Sequence, residues 1–145
     1  MRELSTSLED YLEAVYVLSG AGGFTRAGLV GARLKVSKPS VNAAIKALAA
    51  RGLLEHERYG SVRMSPRGLK AGAEIAGRHS LLKDFFTSIL AMPGPQAERD
   101  ACRAEHALSP EALRRVEGLA VFLKAPARAR LLASARGAVL KGARK

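Results

Sequence analysis

Residues 36–68 read VSKPSVNAAIKALAARGLLEHERYGSVRMSPRG, and this stretch decides the fold. Ser37 belongs to the residue types that cap helix N-termini well, and Pro39 is tolerated in a first helical turn. Apolar residues then recur at helical spacing until Gly52, where the pattern stops. The pattern predicts a helix whose buried face is formed by Val41, Ala44, Ile45 and Leu48.

Two further elements flank this helix. Residues 26–34 predict a short preceding helix, which a turn at Lys35 and Val36 joins to the longer one. After the longer helix the apolar period shortens, and two extended runs around Tyr59 and Gly60 predict a β-hairpin. A helix-turn-helix followed by a β-hairpin is the winged-helix arrangement.

Helices account for the remaining sequence. A first helix is expected to begin near Ser7, where Ser7 and Asp10 fit a capping box. Pro66 is expected to start another helix that runs to about Gly77, and residues 96–107 predict a further one.

The fold class expected is therefore mainly α. It comprises an N-terminal winged helix-turn-helix with a small β-hairpin wing over residues 1–70. An all-helical dimerisation domain with a basic C-terminal helix follows over residues 71–145. The second domain carries wide apolar stripes that a monomer would expose, so we expect a symmetric homodimer.

Charge is distributed unevenly along the chain. The net charge of +11 comes from a balance of +8 over residues 26–70 and +7 over residues 124–145. Residues 1–25 carry −3 and residues 71–123 carry −1. Basic blocks in a helix-turn-helix and in a tail predict a polyanionic partner, most simply double-stranded DNA, although a soluble arginine-rich surface is the simpler alternative.

Several classes of protein are not expected. No apolar run approaches the ~20 residues of a membrane span, and the N-terminus lacks the apolar region of a signal peptide. The single cysteine gives no reason to expect disulfides or secretion, so the cytoplasm is the expected location.

Residues 101–109, ACRAEHALS, bring together the side chains of a metal site. Cys102, Glu105 and His106 would share one helical face, and thiolate, carboxylate and imidazole all bind borderline metals. The alternative is a core cysteine beside a surface Glu–His pair. A Cys–His nucleophile is not expected, because a spacing of four residues on one helix activates a thiol poorly. We expect no enzyme and no small organic substrate.

Three other residues are weaker metal-ligand candidates. Asp10 and Glu13 stand three residues apart on the first helix, and His79 begins a later apolar stretch. Taken alone, Asp10 could be a capping acid, Glu13 a surface charge and His79 a structural histidine. His56 lies in the predicted wing, where we expect it to face solvent.

The residues expected to face DNA lie mostly at the start of the second helix of the helix-turn-helix and in the wing. Recognition helices contact base edges with their N-terminal residues, while wings suit phosphate or minor-groove contacts. The candidates are Arg26, Ser37, Lys38, Pro39, Ser40, Asn42, Lys46, Arg58, Tyr59 and Arg63. An ordinary capped helix with a solvated basic face is the alternative.

Four separated motifs, STSLEDYLEAVYVLS, the stretch 36–68, RHSLLKDFF and ACRAEHALS, occur in the order found in a known family. The chain resembles the DtxR/MntR family of metal-dependent transcriptional repressors over about residues 5–123. The resemblance implies a DNA-binding homodimer that represses metal-homeostasis genes, with divalent iron or manganese as co-repressor.

The resemblance also implies a principal metal site. Carried over residue by residue, it consists of Asp10, Glu13, His79, Cys102, Glu105 and His106. Carboxylates favour Mn(II) and Fe(II), while the thiolate shifts the preference towards Fe(II), Zn(II) or Co(II). Because family members combine these residue types differently, the set in this chain is a hybrid.

Departures from the family pattern keep other interpretations open. The ancillary metal site of the iron-type members is altered, since Lys83 and Glu98 stand at two of its positions. Gly28 and Leu29 replace a polar cap and an acid at the second helix. The alternatives are a winged-helix regulator that has lost metal control and a metal-buffering dimer without DNA function.

Overall fold

The computed structural model describes residues 4–56 and 60–142. Within these ranges the chain forms seven α-helices and three short β-strands, which confirms the expected mainly α composition. They are α1 (Thr6–Ser19), β1 (Phe24–Arg26), α2 (Ala27–Leu34), α3 (Lys38–Ala50), β2 (Leu54–His56), β3 (Ser61–Met64), α4 (Pro66–Asp84), α5 (Gly94–Ala104), α6 (Pro110–Lys124) and α7 (Ala129–Gly142).

Two compact units divide the chain. They are Met1–Ala76 and Gly77–Lys145, called here unit 1 and unit 2, and the boundary between them lies inside α4. Each unit has its own hydrophobic core.

The helix-turn-helix of unit 1 consists of α2 and α3. Lys35 ends α2 in the left-handed conformation, with φ 56°, and the amide of Val36 bonds back to the carbonyl of Gly31 at 3.1 Å. A β-carbon at Gly31 would stand 3.2 Å from a methyl carbon of Val41, so the glycine lets the two helices approach closely. This contact offsets the low helix propensity of the glycine.

α3 begins and packs as the sequence predicts. Ser37 is its N-cap, and the Ser37 hydroxyl accepts a hydrogen bond from the Ser40 amide at 3.4 Å. The predicted inner face is confirmed, since Val41, Ala44, Ile45 and Leu48 are all buried.

The start of α1 differs from the prediction. Ser5, not Ser7, is the N-cap, and the Ser5 hydroxyl accepts from the amide of Leu8 at 3.4 Å. The proposed capping box of Ser7 and Asp10 is wrong, because Asp10 lies five residues beyond the cap and a capping box needs three.

A three-stranded antiparallel sheet completes unit 1, in the order β1-β3-β2. The β2–β3 hairpin was expected, with Leu54 opposite Met64. β1 was not expected; it pairs with the other side of β3, with Phe24 opposite Arg63. Three residues between a glycine-rich turn and a helix are too few to show a period in sequence.

The core of unit 1 collects one face from each helix and from the sheet. The first turn of α4 packs closely against the segment that leads into β2. A β-carbon at Gly68 would overlap the carbonyl of Leu53, so only a glycine fits there. The buried apolar side chains include Leu12, Val15, Val30, Ile45, Leu48, Val62 and Met64.

Unit 2 contains the end of α4 and the helices α5, α6 and α7. α4 does not end near Gly77 as expected but runs to Asp84 and continues as a π-helical turn, Phe85–Ile89. A glycine inside a helix costs about 1 kcal/mol, which is less than burial of Leu82 contributes. Leu82 packs there with Ala101 and Leu113.

Two polar contacts fasten the C-terminal helices of unit 2 to the end of α4. Lys124 Nζ on α6 lies 2.7 Å from Asp84 Oδ2, and Arg136 Nη1 on α7 donates to the Ser88 carbonyl at 2.8 Å. The outer faces of α6 and α7 expose Leu119, Val121, Phe122, Leu131 and Leu140.

Among the described residues, no helix combines the length and the apolar character needed to cross a membrane.

Candidate metal centre and nucleic-acid interface

Four of the six predicted metal ligands belong to unit 2. His79 lies on α4 and Cys102 on α5. α5 ends at Ala104, and the amides of Ala107 and Leu108 both bond to the Ala104 carbonyl in a tight turn. Glu105 is the C-cap and His106 lies in the turn, so the predicted continuation of this helix to residue 107 is wrong.

The carboxylate of Glu105 lies between two imidazoles. Its Oε2 is 2.7 Å from Nδ1 of His79, and its Oε1 is 3.2 Å from Nε2 of His106. The exposed fractions of the three side chains are 0% for Glu105, 7% for His106 and 14% for His79. An ionised carboxylate buried this deeply needs a compensating positive charge, which a protonated imidazole or a cation supplies.

Cys102 lies one turn before this group on α5. It is exposed, so the alternative of a core cysteine does not hold. The donor types of the four residues are two imidazoles, one carboxylate and one thiol. This is a donor set that fits a divalent transition metal.

A second polar contact lies on the opposite side of the His79 ring. Its Nε2 is 3.1 Å from Oε1 of Glu98, and Oε2 of Glu98 is 2.7 Å from Nζ of Lys83. The hydrogen bond from Lys83 is the main reason that the pKa of Glu98 lies below its ordinary value. The sequence marked both residues as departures from the family pattern but did not indicate that they pair.

The two remaining predicted ligands, Asp10 and Glu13, belong to unit 1. They stand three residues apart on α1, which puts them on one side of that helix, and both are half-buried. Since Asp10 is not part of a capping box, the alternative that it is a capping acid does not apply.

The predicted DNA-facing residues of α3 form an exposed surface. Ser37, Lys38, Pro39, Ser40, Asn42 and Lys46 are all exposed. The hydroxyls of Ser37 and Ser40 lie 2.8 Å apart, and Ser37 also caps the helix. The Ser37 hydroxyl is therefore already used as the cap of α3. The side chains of Lys38, Asn42 and Lys46 are exposed.

Two further predicted residues, Arg26 and Arg63, lie in the sheet and are exposed. Arg26 is the N-cap of α2 without a side-chain capping bond, and Arg63 on β3 lies 5.8 Å from the ring centroid of Phe24. Phe24 is exposed on β1, a strand that was not predicted. Arg58 and Tyr59, also predicted, lie outside the described residues.

Two protein-family models match the chain, one in its N-terminal part and one in its C-terminal part. Residues 3–62 match the family model described as iron dependent repressor, N-terminal DNA binding domain. Residues 65–128 match the model described as iron dependent repressor, metal binding and dimerisation domain.

Individual proteins give the same result. The chain is 30% identical over 118 residues to the HTH-type transcriptional regulator MntR of Shouchella clausii, which covers 81% of this chain and 82% of that protein. It is similar to a solved manganese-dependent transcriptional repressor in complex with manganese, with a TM-score of 0.72 and 25% identity. That match covers 79% of this chain and 53% of the other.

The chain is also similar to a structure of ScaR with bound Zn²⁺, with a TM-score of 0.66 and 25% identity over 81% of this chain and 55% of the other. The chain thus spans about half the length of these two solved chains. The winged helix-turn-helix, the helical second domain and the matched domain models lead to one assignment. The chain belongs to the iron-dependent DtxR/MntR repressor family, which consists of DNA-binding, metal-responsive transcriptional repressors and not of enzymes.

Proposed function

We propose that this repressor is activated by Mn(II) or Fe(II) and that it controls genes of metal-ion homeostasis. The observation that carries the proposal is the buried Glu105 carboxylate between the imidazoles of His79 and His106. It lies in the segment that matches a metal-binding domain. Zn(II) and Co(II) are the alternatives, because the thiol of Cys102 suits them.

The proposed ligand set joins residues of both units. His79, Cys102, Glu105 and His106 come from unit 2, and Asp10 and Glu13 come from unit 1. The support for adding the two acids is the family resemblance together with their placement on one side of α1.

The set couples metal to DNA through charge. Three carboxylates that share a ligand set repel one another, and a bound divalent ion supplies the charge that offsets this repulsion. Since Asp10 and Glu13 belong to the DNA-binding segment, their coordination to the metal ion would limit how that segment moves. The coupling is reciprocal, and such couplings are typically about 1–3 kcal/mol.

DNA binding is assigned to residues 1–70, and dimerisation to residues 71–145. The exposed start of α3 contacts base edges, and Arg26 and Arg63 contact the backbone. In a homodimer two such helices meet half-sites about 34 Å apart, so their spacing decides operator affinity. Because DNA is the proposed partner, we propose the cytoplasm as the location of the protein.

The test compares operator affinity with and without metal. A duplex is selected from a random pool by the purified protein with Mn(II), and its affinity is measured by fluorescence anisotropy with Mn(II), Fe(II), Zn(II) or a chelator. We expect metal to raise the affinity about 5–150-fold. Glu105→Gln and His106→Ala should abolish this increase while leaving the helical content unchanged.

Glu111→Gln is the matched control, because Glu111 is an exposed acid of unit 2 that pairs with Arg114 and Arg115 on its own helix, α6. Equal DNA affinity with and without metal in the wild-type protein would refute metal control and leave a metal-independent regulator. Metal binding without any selected duplex would instead indicate a metal buffer.

A further inference from the structure

The polar group on the outer side of His79 contains its own cation. Lys83 Nζ lies 2.7 Å from one oxygen of Glu98, and the other oxygen of Glu98 lies 3.1 Å from Nε2 of His79. Lys83 and His79 stand four residues apart on α4, while Glu98 comes from α5. Both oxygens of the Glu98 carboxylate are thereby engaged.

We propose that Lys83 and Glu98 are positioning residues for His79, and that the Lys83 ammonium takes the place of a second metal ion at this cluster. The proposal rests on the proposed function, since it treats His79 as a ligand of the activating cation.

The chemistry of the ring supports a positioning role. A neutral imidazole carries one proton and one free lone pair, and a carboxylate beside one nitrogen holds the proton there. Glu98 faces Nε2 at 3.1 Å, so a ring that gives its Nδ1 lone pair to a metal keeps its proton on Nε2, where Glu98 accepts it. Nδ1 is also the nitrogen that faces Glu105, at 2.7 Å.

Local charge argues against a second cation. Glu98 and His79 alone would offer a carboxylate and an imidazole, but the ammonium of Lys83 already neutralises the carboxylate. A divalent ion on Glu98 would stand beside that ammonium and be repelled by it. Replacing Lys83 by an acid turns the same positions into two carboxylates and one imidazole, which is a set of metal donors.

Binding stoichiometry is the first test, measured by calorimetric titration of Mn(II) into the metal-free full chain. We expect one tight site per chain in the wild-type protein and two in Lys83→Glu. Lys83→Met should keep one site and bind about 10–100-fold more weakly, because ligand orientation is lost.

Lys124→Met is the matched control. Lys124 also pairs with a carboxylate of unit 2 at 2.7 Å and is 45% exposed, against 49% for Lys83. The Mn(II) affinity and stoichiometry of Lys124→Met should equal those of the wild-type protein. Two tight sites in the wild-type protein, or a single site in Lys83→Glu, would overturn the proposal.

Ring nitrogen NMR of the metal-free protein is the second test and needs no metal activity. Long-range ¹H–¹⁵N spectra distinguish protonated from bare ring nitrogens. We expect the Nε2 signal of His79 to shift in Glu98→Gln and in Lys83→Met but not in Lys124→Met. Unchanged His79 signals in Glu98→Gln would overturn the positioning role. If the two variants show these shifts but the wild-type protein binds no Mn(II), the proposed function fails while the His79–Glu98–Lys83 contact stands.

Discussion

The hydroxyl of Ser65 joins the turn after α3 to the first turn of α4, and the cost of its removal can be calculated. It donates to the Gly52 carbonyl at 2.7 Å and accepts from the Gly68 amide at 2.9 Å, in a buried position. Loss of a helix cap whose amide is buried costs about 1–2 kcal/mol. Loss of the donated bond costs about 1 kcal/mol more. Ser65→Ala should therefore lower the free energy of unfolding by about 2–3 kcal/mol.

Tyrosine fluorescence during urea unfolding measures this effect in unit 1. The chain has three tyrosines and no tryptophan, and all three tyrosines lie within Met1–Ala76. The control is Ser5→Ala, which removes an exposed cap of α1 with a longer bond, 3.4 Å, and should cost less than about 1 kcal/mol. A loss in Ser65→Ala no larger than that in Ser5→Ala would refute the reasoning.

Three further predictions follow from unit 2. Cys102→Glu replaces the thiol by a harder donor and should move selectivity in metal titrations towards Mn(II); an unchanged metal ranking would contradict this. If the basic tail attracts phosphates, replacing the exposed Arg130 and Lys141 by glutamine should lower the salt slope of DNA binding by up to about 2, and an unchanged slope would leave the tail a role in dimer packing. The Lys124 hydrogen bond holds the pKa of Asp84 below its ordinary value of 3.8, so this pair stabilises the fold above that pH and loses its effect as the pH falls below it. Both groups are nearly half exposed, so we expect at most about 1 kcal/mol, absent in Lys124→Met, when circular dichroism follows urea unfolding between pH 2 and 6.

Local patterns predicted the helix-turn-helix well. Capping by Ser37 and the inner face of α3 depend on residues within one or two turns of each other, and the structure confirms both. The hairpin follows from equally local chemistry. Such features are visible in sequence because the interacting groups are neighbours along the chain.

Errors arose where two local choices were similar in energy or where a partner was distant. Ser5 and Ser7 both suit an N-cap, and α1 takes the earlier one. Gly77 was expected to end α4, but burial of Leu82 in unit 2 extends the helix. β1 exists because β3 offers it a free edge, which no feature of residues 24–26 reveals.

The sequence by itself determined the order of elements, the basic blocks and the residue types of a metal site, because helical period, capping and charge are properties of near neighbours. Only the tertiary structure decided that Glu105 is buried between two imidazoles and that Lys83 pairs with Glu98 beside His79. His79 and Glu105 are 26 residues apart, and their contact depends on how α4 packs against the end of α5. Packing of that kind follows from the fit of many apolar side chains together, which no local pattern records.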